Sequence, residues 1–188
     1  MTAPKDNREY IERLAKTGDV VQIEQEVDWD LEAGAIVRRV CETNAPAPFM
    51  QKIKDYPGFR YFGAPISTYR RLAVALGLDP SLRLPEIAAE YLKRSSGPII
   101  EPVLVSKKDA PVKKHVILGD DVDIFQLPIP LVHDGDGGRY LGTWHAVVTQ
   151  DPESGDVNWG MYRQMAYDSK TMPGAVFPFS DLGKMFYE

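Results

Sequence analysis

The chain has 188 residues, 44% of them hydrophobic and 26% charged, an ordinary globular balance with room for one domain or two small ones. Its 27 acidic residues outnumber 22 basic ones, giving a formal net charge of −5, and this argues against a nucleic-acid partner, which needs clustered positive charge. The single cysteine, Cys41, excludes an internal disulfide and any zinc-ligand spacing, and no apolar window has signal-peptide or membrane-span length, so the expected location is the cytoplasm.

The first predicted helix runs from about Asn7 to Thr17, with Asp6 as its cap, Tyr10, Ile11, Leu14 and Ala15 at helical spacing, and Gly18 as its stop. Asp19 to Val27 alternates apolar and polar residues and predicts a strand with one wet face. A second helix is expected over Leu31 to Thr43, capped by Asp30, with Ile36, Val37, Val40 and Cys41 as a buried stripe. Two short extended pieces follow, Phe49 to Ile53 and Phe59 to Phe62, joined through Asp55-Tyr56-Pro57-Gly58. Ser67 is placed to cap a helix that Gly77 ends, and Pro85 to open another that continues through Lys93.

Near Ser95-Ser96-Gly97-Pro98 the character changes. From there the pattern predicts extended segments at Ile99 to Val105, Val112 to Leu118, Tyr140 to Gln150 and Val157 to Tyr167, while Pro128 and Pro130 forbid regular helix between them. The expected fold class is therefore α+β: a small α/β domain over residues 1–98, then a β domain over 99–188. Apolar residues persist to the end of the sequence, and so few strands leave edges unpaired, which predicts that the chain is the N-terminal piece of a longer protein.

Several groups carry candidate chemistry. Lys107, Lys108, Lys113 and Lys114 form a basic cluster that Asp109 interrupts, the pattern of a solvated loop. His133 stands beside Asp134 in an acidic, glycine-rich stretch, where a metal site and a plain turn are both readable. Gly135-Asp136-Gly137-Gly138 lacks the spacings of a phosphate loop, and its glycines shape a turn. His145 in a strand pattern and His115 at a strand start read as packed and surface histidines respectively.

Asn158, Trp159 and Arg163 differ in kind, because an amide oxygen is a hard cation ligand and a guanidinium is a planar fork for carboxylate or phosphate. Five positions separate Asn158 from Arg163, so a regular strand would send them to opposite faces unless a bulge or bend near Gly160 intervenes. The residues alone leave a polar sheet edge and a ligand site both open.

The run Asp121-Val122-Asp123-Ile124-Phe125-Gln126-Leu127-Pro128-Ile129-Pro130 resembles the UbiD family of prenylated-FMN-dependent decarboxylases. So do Asp136-Gly137-Gly138-Arg139-Tyr140, Val147-Val148-Thr149-Gln150-Asp151-Pro152 and Asn158-Trp159-Gly160-Met161-Tyr162-Arg163, in that order, and the likeness spans nearly the whole chain. The resemblance implies that residues from about 99 begin a split β-barrel, flavin-reductase-like, that binds prenylated FMN through Asn158, Trp159, Gly160, Met161 and Arg163. It implies Asn158 as a ligand of a divalent ion, usually Mn2+, bridging to the flavin phosphate, and Trp159 as a backbone position beside K+. Arg163 is implied to meet the substrate carboxylate.

The implied reaction is reversible, non-oxidative decarboxylation of an aromatic or α,β-unsaturated acid through a covalent flavin adduct. Implied partners are that acid, further copies of the protein joined through regions beyond residue 188, and a flavin prenyltransferase supplying the cofactor. One departure concerns the metal: where the family pattern has a histidine, this chain has Ser180-Asp181-Leu182, which makes Asp181 the candidate ligand. The pattern's further glutamate and catalytic acids lie downstream of these residues. Two other readings stay open beside the enzyme: a non-catalytic flavin- or phosphate-binding subunit, and a metal-assisted hydrolase using the Asp-rich turn.

Overall fold

A computed structural model describes residues 2–187 and resolves into two compact units. The first contains the chain up to Glu26 with Ile36–Lys52 and Arg60–Gly119; the second contains Val27–Ala35, Ile53–Phe59 and the chain from Asp120 onward.

In the first unit, α1 (Asn7–Lys16) begins at Asp6, whose side chain accepts from the Glu9 N–H at 2.9 Å, and it ends before Gly18 at φ 71°. Tyr10 and Leu14 on its inner face pack with Val74 of α3 (Tyr69–Ala75), together with Val20, Phe62 and Ala75. The sheet has the order β1 (Val20–Val27), β2 (Ala47–Ile53), β3 (Tyr61–Phe62). β2 and β3 are antiparallel, with Phe49 opposite Phe62 and Met50 opposite Tyr61. Thr68, not Ser67, caps α3, accepting from the Arg71 N–H at 3.3 Å. Helix α4 (Leu84–Ser95) opens with Pro85 in its first turn, where a missing N–H costs no helical bond.

Helix α2 (Glu32–Thr43) departs from expectation at two points. Its start is held by Asp28 together with the Asp30 backbone, not by an Asp30 side-chain cap: the Asp28 carbonyl accepts from the Ala33 N–H, its carboxylate from the Asp30 N–H, and the Asp30 carbonyl from the Glu32 N–H. Cys41 is exposed, so Val40 alone carries the buried face at that end of the helix.

Residues 99–118 form no strand. Leu104 is 99% exposed and Ile100 92%, and a 3-10 turn occupies Pro111–Lys113. An apolar run becomes a strand only when a ladder partner satisfies its backbone groups, and among the described residues no partner reaches this segment.

In the second unit, β4 (Arg139–Gly142) pairs antiparallel with β7 (Gln164–Ala166), and β5 (Val147–Gln150) with β6 (Val157–Gly160). The two long strands expected at 140–150 and 157–167 are thus each broken, and glycine sits at both breaks. A Cβ on Gly142 would lie 2.3 Å from the His145 ring, and one on Gly160 would lie 2.4 Å from the Tyr162 ring. Each ring folds back over its glycine and takes the chain out of the ladder. Helix α5 (Asp181–Tyr187), which the sequence pattern did not reveal, follows β7. The earlier segments of this unit wrap one cation. The Arg139 guanidinium lies 4.0 Å from the Trp29 ring centroid, 5.3 Å from Phe125 and 5.8 Å from Tyr56, and donates to the Ile129 carbonyl and the Tyr56 hydroxyl.

The fold is mixed α and β. Among the described residues no closed barrel forms, and no helix is long and apolar enough to cross a membrane.

Candidate cofactor site

The second unit carries the candidate residues on the β5–β6 hairpin and the chain after it. Its turn is built by Asp151, whose carboxylate accepts from the Glu153 and Ser154 N–H groups at 2.8 Å each. Those backbone donors, Ser154 first, hold the Asp151 carboxyl below its ordinary range. Gly155 closes the turn at φ 78°. The register then sets Asn158 opposite Thr149 and Trp159 opposite Val148, so the two side chains leave opposite faces. Asn158 is half-buried, whereas Trp159 is exposed.

Past Gly160 the strand stops, and the parity that would separate Asn158 from Arg163 no longer applies. Met161 points to solvent. Tyr162 turns back, and its hydroxyl lies 3.3 Å from Asn158 Nδ2. The same hydroxyl accepts from the Leu182 N–H at 3.2 Å, in the first turn of α5. Ser180 Oγ also caps that turn, accepting from Gly183 N at 3.0 Å. Asn158 and the start of α5, where Asp181 sits, are therefore linked through one phenol oxygen.

Asp181 itself is exposed, and its nearest charged neighbour is Lys184 Nζ at 3.3 Å. Arg163 is also exposed, with its guanidinium 5.7 Å from the Tyr140 ring centroid. No hydrogen bond joins Arg163 to Asn158 or Asp181 among the described residues. Tyr162 is the residue the sequence pattern overlooked; the available signal was an aromatic two positions after a strand glycine, able to fold onto it.

The other candidates resolve simply. His133 and Asp136 close a turn through their backbones, and no group of three or more metal-ligating side chains forms among the described residues. His115 and the four lysines are exposed. His145 is half-buried, and both its ring nitrogens are shielded from solvent without a hydrogen-bond partner.

The model of the 3-octaprenyl-4-hydroxybenzoate carboxy-lyase N-terminal domain matches residues 11–91, and that of the Rift-related domain of the same enzymes matches residues 103–187. Together they take in most of the sequence. The chain belongs to the UbiD family. It is 37% identical over 186 residues to the pyrrole-2-carboxylic acid decarboxylase of Pseudomonas aeruginosa, covering 95% of this chain and 37% of that protein. It superposes on the closed form of Sedimentibacter hydroxybenzoicus vanillic acid decarboxylase with a TM-score of 0.90 at 28% identity, covering 98% of this chain and 40% of that one. The fold is shared with an evolved dimeric form of the UbiD-class enzyme HmfF from Pelotomaculum thermopropionicum, solved with prenylated FMN. That match has a TM-score of 0.80 at 24% identity and covers 95% of this chain and 40% of the other. The chain thus spans little more than a third of the length of the curated UbiD relatives it matches.

The residues fit the phosphate end of such a cofactor in donor type. Asn158 directs its amide nitrogen to Tyr162, which leaves Oδ1 as a hard oxygen donor, and Asp181 adds a carboxylate near the same helix start. Two side-chain oxygen donors are fewer than a divalent ion takes, and phosphate oxygens would count toward the rest.

Proposed function

We propose that this chain supplies the cofactor-phosphate part of the active site of a prenylated-FMN-dependent decarboxylase acting reversibly on an aromatic or α,β-unsaturated carboxylic acid. The observation that carries this reading is the Asn158-to-Arg163 segment, which presents an amide oxygen on β6 and an exposed guanidinium just past the end of that strand. The relatives that decarboxylate pyrrole-2-carboxylic and vanillic acids support the substrate class. The HmfF complex supports the flavin.

In this reading residues 1–98 form one domain, and residues 99–188 begin a split β-barrel that later parts of the polypeptide complete, a division supported by the two family matches at 11–91 and 103–187. Asn158 and Asp181 hold Mn2+ or a similar ion against the phosphate, and the Trp159 backbone holds K+. Gly160 and Met161 line the flavin, and Arg163 orients the substrate carboxylate bidentately. The bound cofactor supplies an electron sink for loss of carbon dioxide. The residues of this chain bind, orient and balance charge, and the proton comes from acids beyond them. The protein works in the cytoplasm as an oligomer, with a flavin prenyltransferase as cofactor source.

The test is to reconstitute the full polypeptide with prenylated FMN, Mn2+ and K+ and to measure carbon dioxide release from a panel of aryl, heteroaryl and acrylic acids. Arg163→Ala is expected to abolish release while leaving bound flavin nearly unchanged; equal loss of flavin would refute the separate roles. Asp181 in place of histidine favours a second reading, a flavin- or phosphate-holding subunit without catalysis. That reading predicts flavin binding and no release from any acid.

A further inference from the structure

We propose that Tyr162 is a positioning residue: its hydroxyl keeps the Asn158 amide with its oxygen toward the cation and phosphate of a bound flavin, and sets the distance from that amide to α5. The inference rests on the functional reading above and names a residue to which that reading gives no role.

An asparagine amide has two chemically opposite ends, and a half-turn about its last bond exchanges them. With the NH2 end outward, it would repel a cation. The neighbour on the inner side therefore decides whether the site works. That neighbour is the Tyr162 hydroxyl, 3.3 Å from Asn158 Nδ2. A backbone N–H can only donate, so the Leu182 contact at 3.2 Å makes the phenol oxygen an acceptor. Accepting from both nitrogens uses its two lone pairs and leaves Asn158 Oδ1 turned away, available as a ligand. The alternative, Tyr162 donating to Oδ1, would consume the ligand atom, and a bound divalent ion selects against it.

Two features pin the ring. Gly160 has no side chain, and a Cβ there would sit 2.4 Å from Tyr162 Cε2. The Leu182 N–H lies in the first helical turn, where it has no intrahelical acceptor, and Tyr162 provides one. The same oxygen thus couples β6, which carries Asn158, to the helix that carries Asp181.

The test titrates FMN into the full apo polypeptide by flavin fluorescence quenching, with and without Mn2+, in the parent protein and in Tyr162→Phe, which keeps the ring. Loss of a group that orients a metal ligand weakens metal binding by about 10- to 100-fold. The Mn2+-dependent gain in FMN affinity should fall by that factor, while affinity without Mn2+ stays the same. In an Asn158→Ala background, Tyr162→Phe should have no further effect on the Mn2+-dependent gain, because the group it positions is gone. An unchanged gain in Tyr162→Phe overturns the inference alone and leaves the functional reading standing. So does an equal loss with and without Mn2+, or an undiminished effect in the Asn158→Ala background, either of which marks a general structural role. A parent protein that binds no FMN overturns both.

Discussion

Replacing Arg71 by methionine should destabilise the protein more than any other single change in α3. The side chain is 0% exposed, and its partner Asp19 is 12% exposed. One terminal nitrogen donates to the Ala64 carbonyl at 3.1 Å and to Ser67 Oγ at 2.7 Å; the other donates to Asp19 Oδ1 at 2.9 Å and to the Ala45 carbonyl. Arg71 therefore joins α3 to the chain before β1, the loop after α2 and the loop after β3. Methionine fills comparable space and makes none of these bonds. It leaves the Asp19 carboxylate shielded from water, with only Arg70 Nε at 3.8 Å for company. Removing one member of a buried ion pair costs about 3–5 kcal/mol, most of it from the charge left behind. The loss lowers both Tm and the urea midpoint of the unit that holds α3. The assay is thermal and urea unfolding of the full polypeptide followed by far-ultraviolet circular dichroism. The double variant Asp19→Asn with Arg71→Met should recover part of the loss, since the stranded charge is gone. A single-variant loss below about 1 kcal/mol, or a double variant that is worse than Arg71→Met, would refute the argument.

Two further outcomes follow from close contacts and burial. In Gly183→Ala, the new Cβ would lie 1.9 Å from the Phe177 carbonyl oxygen, a backbone atom that cannot swing aside. The first turn of α5 should loosen at a cost of about 1–3 kcal/mol, read as faster amide hydrogen exchange at Leu182; unchanged exchange would contradict it. The Tyr10 hydroxyl is pushed up from 10.0 to about 12 by burial. Its folded form holds the proton after the unfolded form has released it, so this contribution is intact below pH 10 and disappears as pH rises toward 12. Tyr10→Phe should flatten the decline of urea stability over that window, and an unchanged slope would assign the decline to other groups.

Local rules made much of the first unit legible. Asp6 before α1, Gly18 after it and Pro85 in α4 each act within a few residues, and the structure uses each as expected. At Cys41 the apolar stripe of the sequence is wider than the buried face of the helix, where Val40 is the last residue turned inward. Residues 99–118 have strand composition without a ladder, and composition holds no information on whether a partner strand is present. At the candidate site, Asn158 and Arg163 were readable as chemistry-bearing types, but their placement depended on Gly160 receiving the Tyr162 ring. That is a contact between side chain and backbone that no period of 2 or 3.6 encodes. Helix α5 escaped notice because its start is fixed by Ser180 and by a phenol 20 positions earlier in the chain.

The aromatic nest around Arg139 has a consequence in time. Tyr56 precedes Arg139 by 83 positions, and Trp29 comes earlier still. At ribosomal speeds of about 5–20 residues per second, Tyr56 waits roughly 4–17 s after its synthesis for the guanidinium that will cover it. During that interval the nascent chain offers unprotected rings to whatever it meets, and the opportunity for a chaperone, or for a neighbouring ribosome's product, closes only when Arg139 emerges.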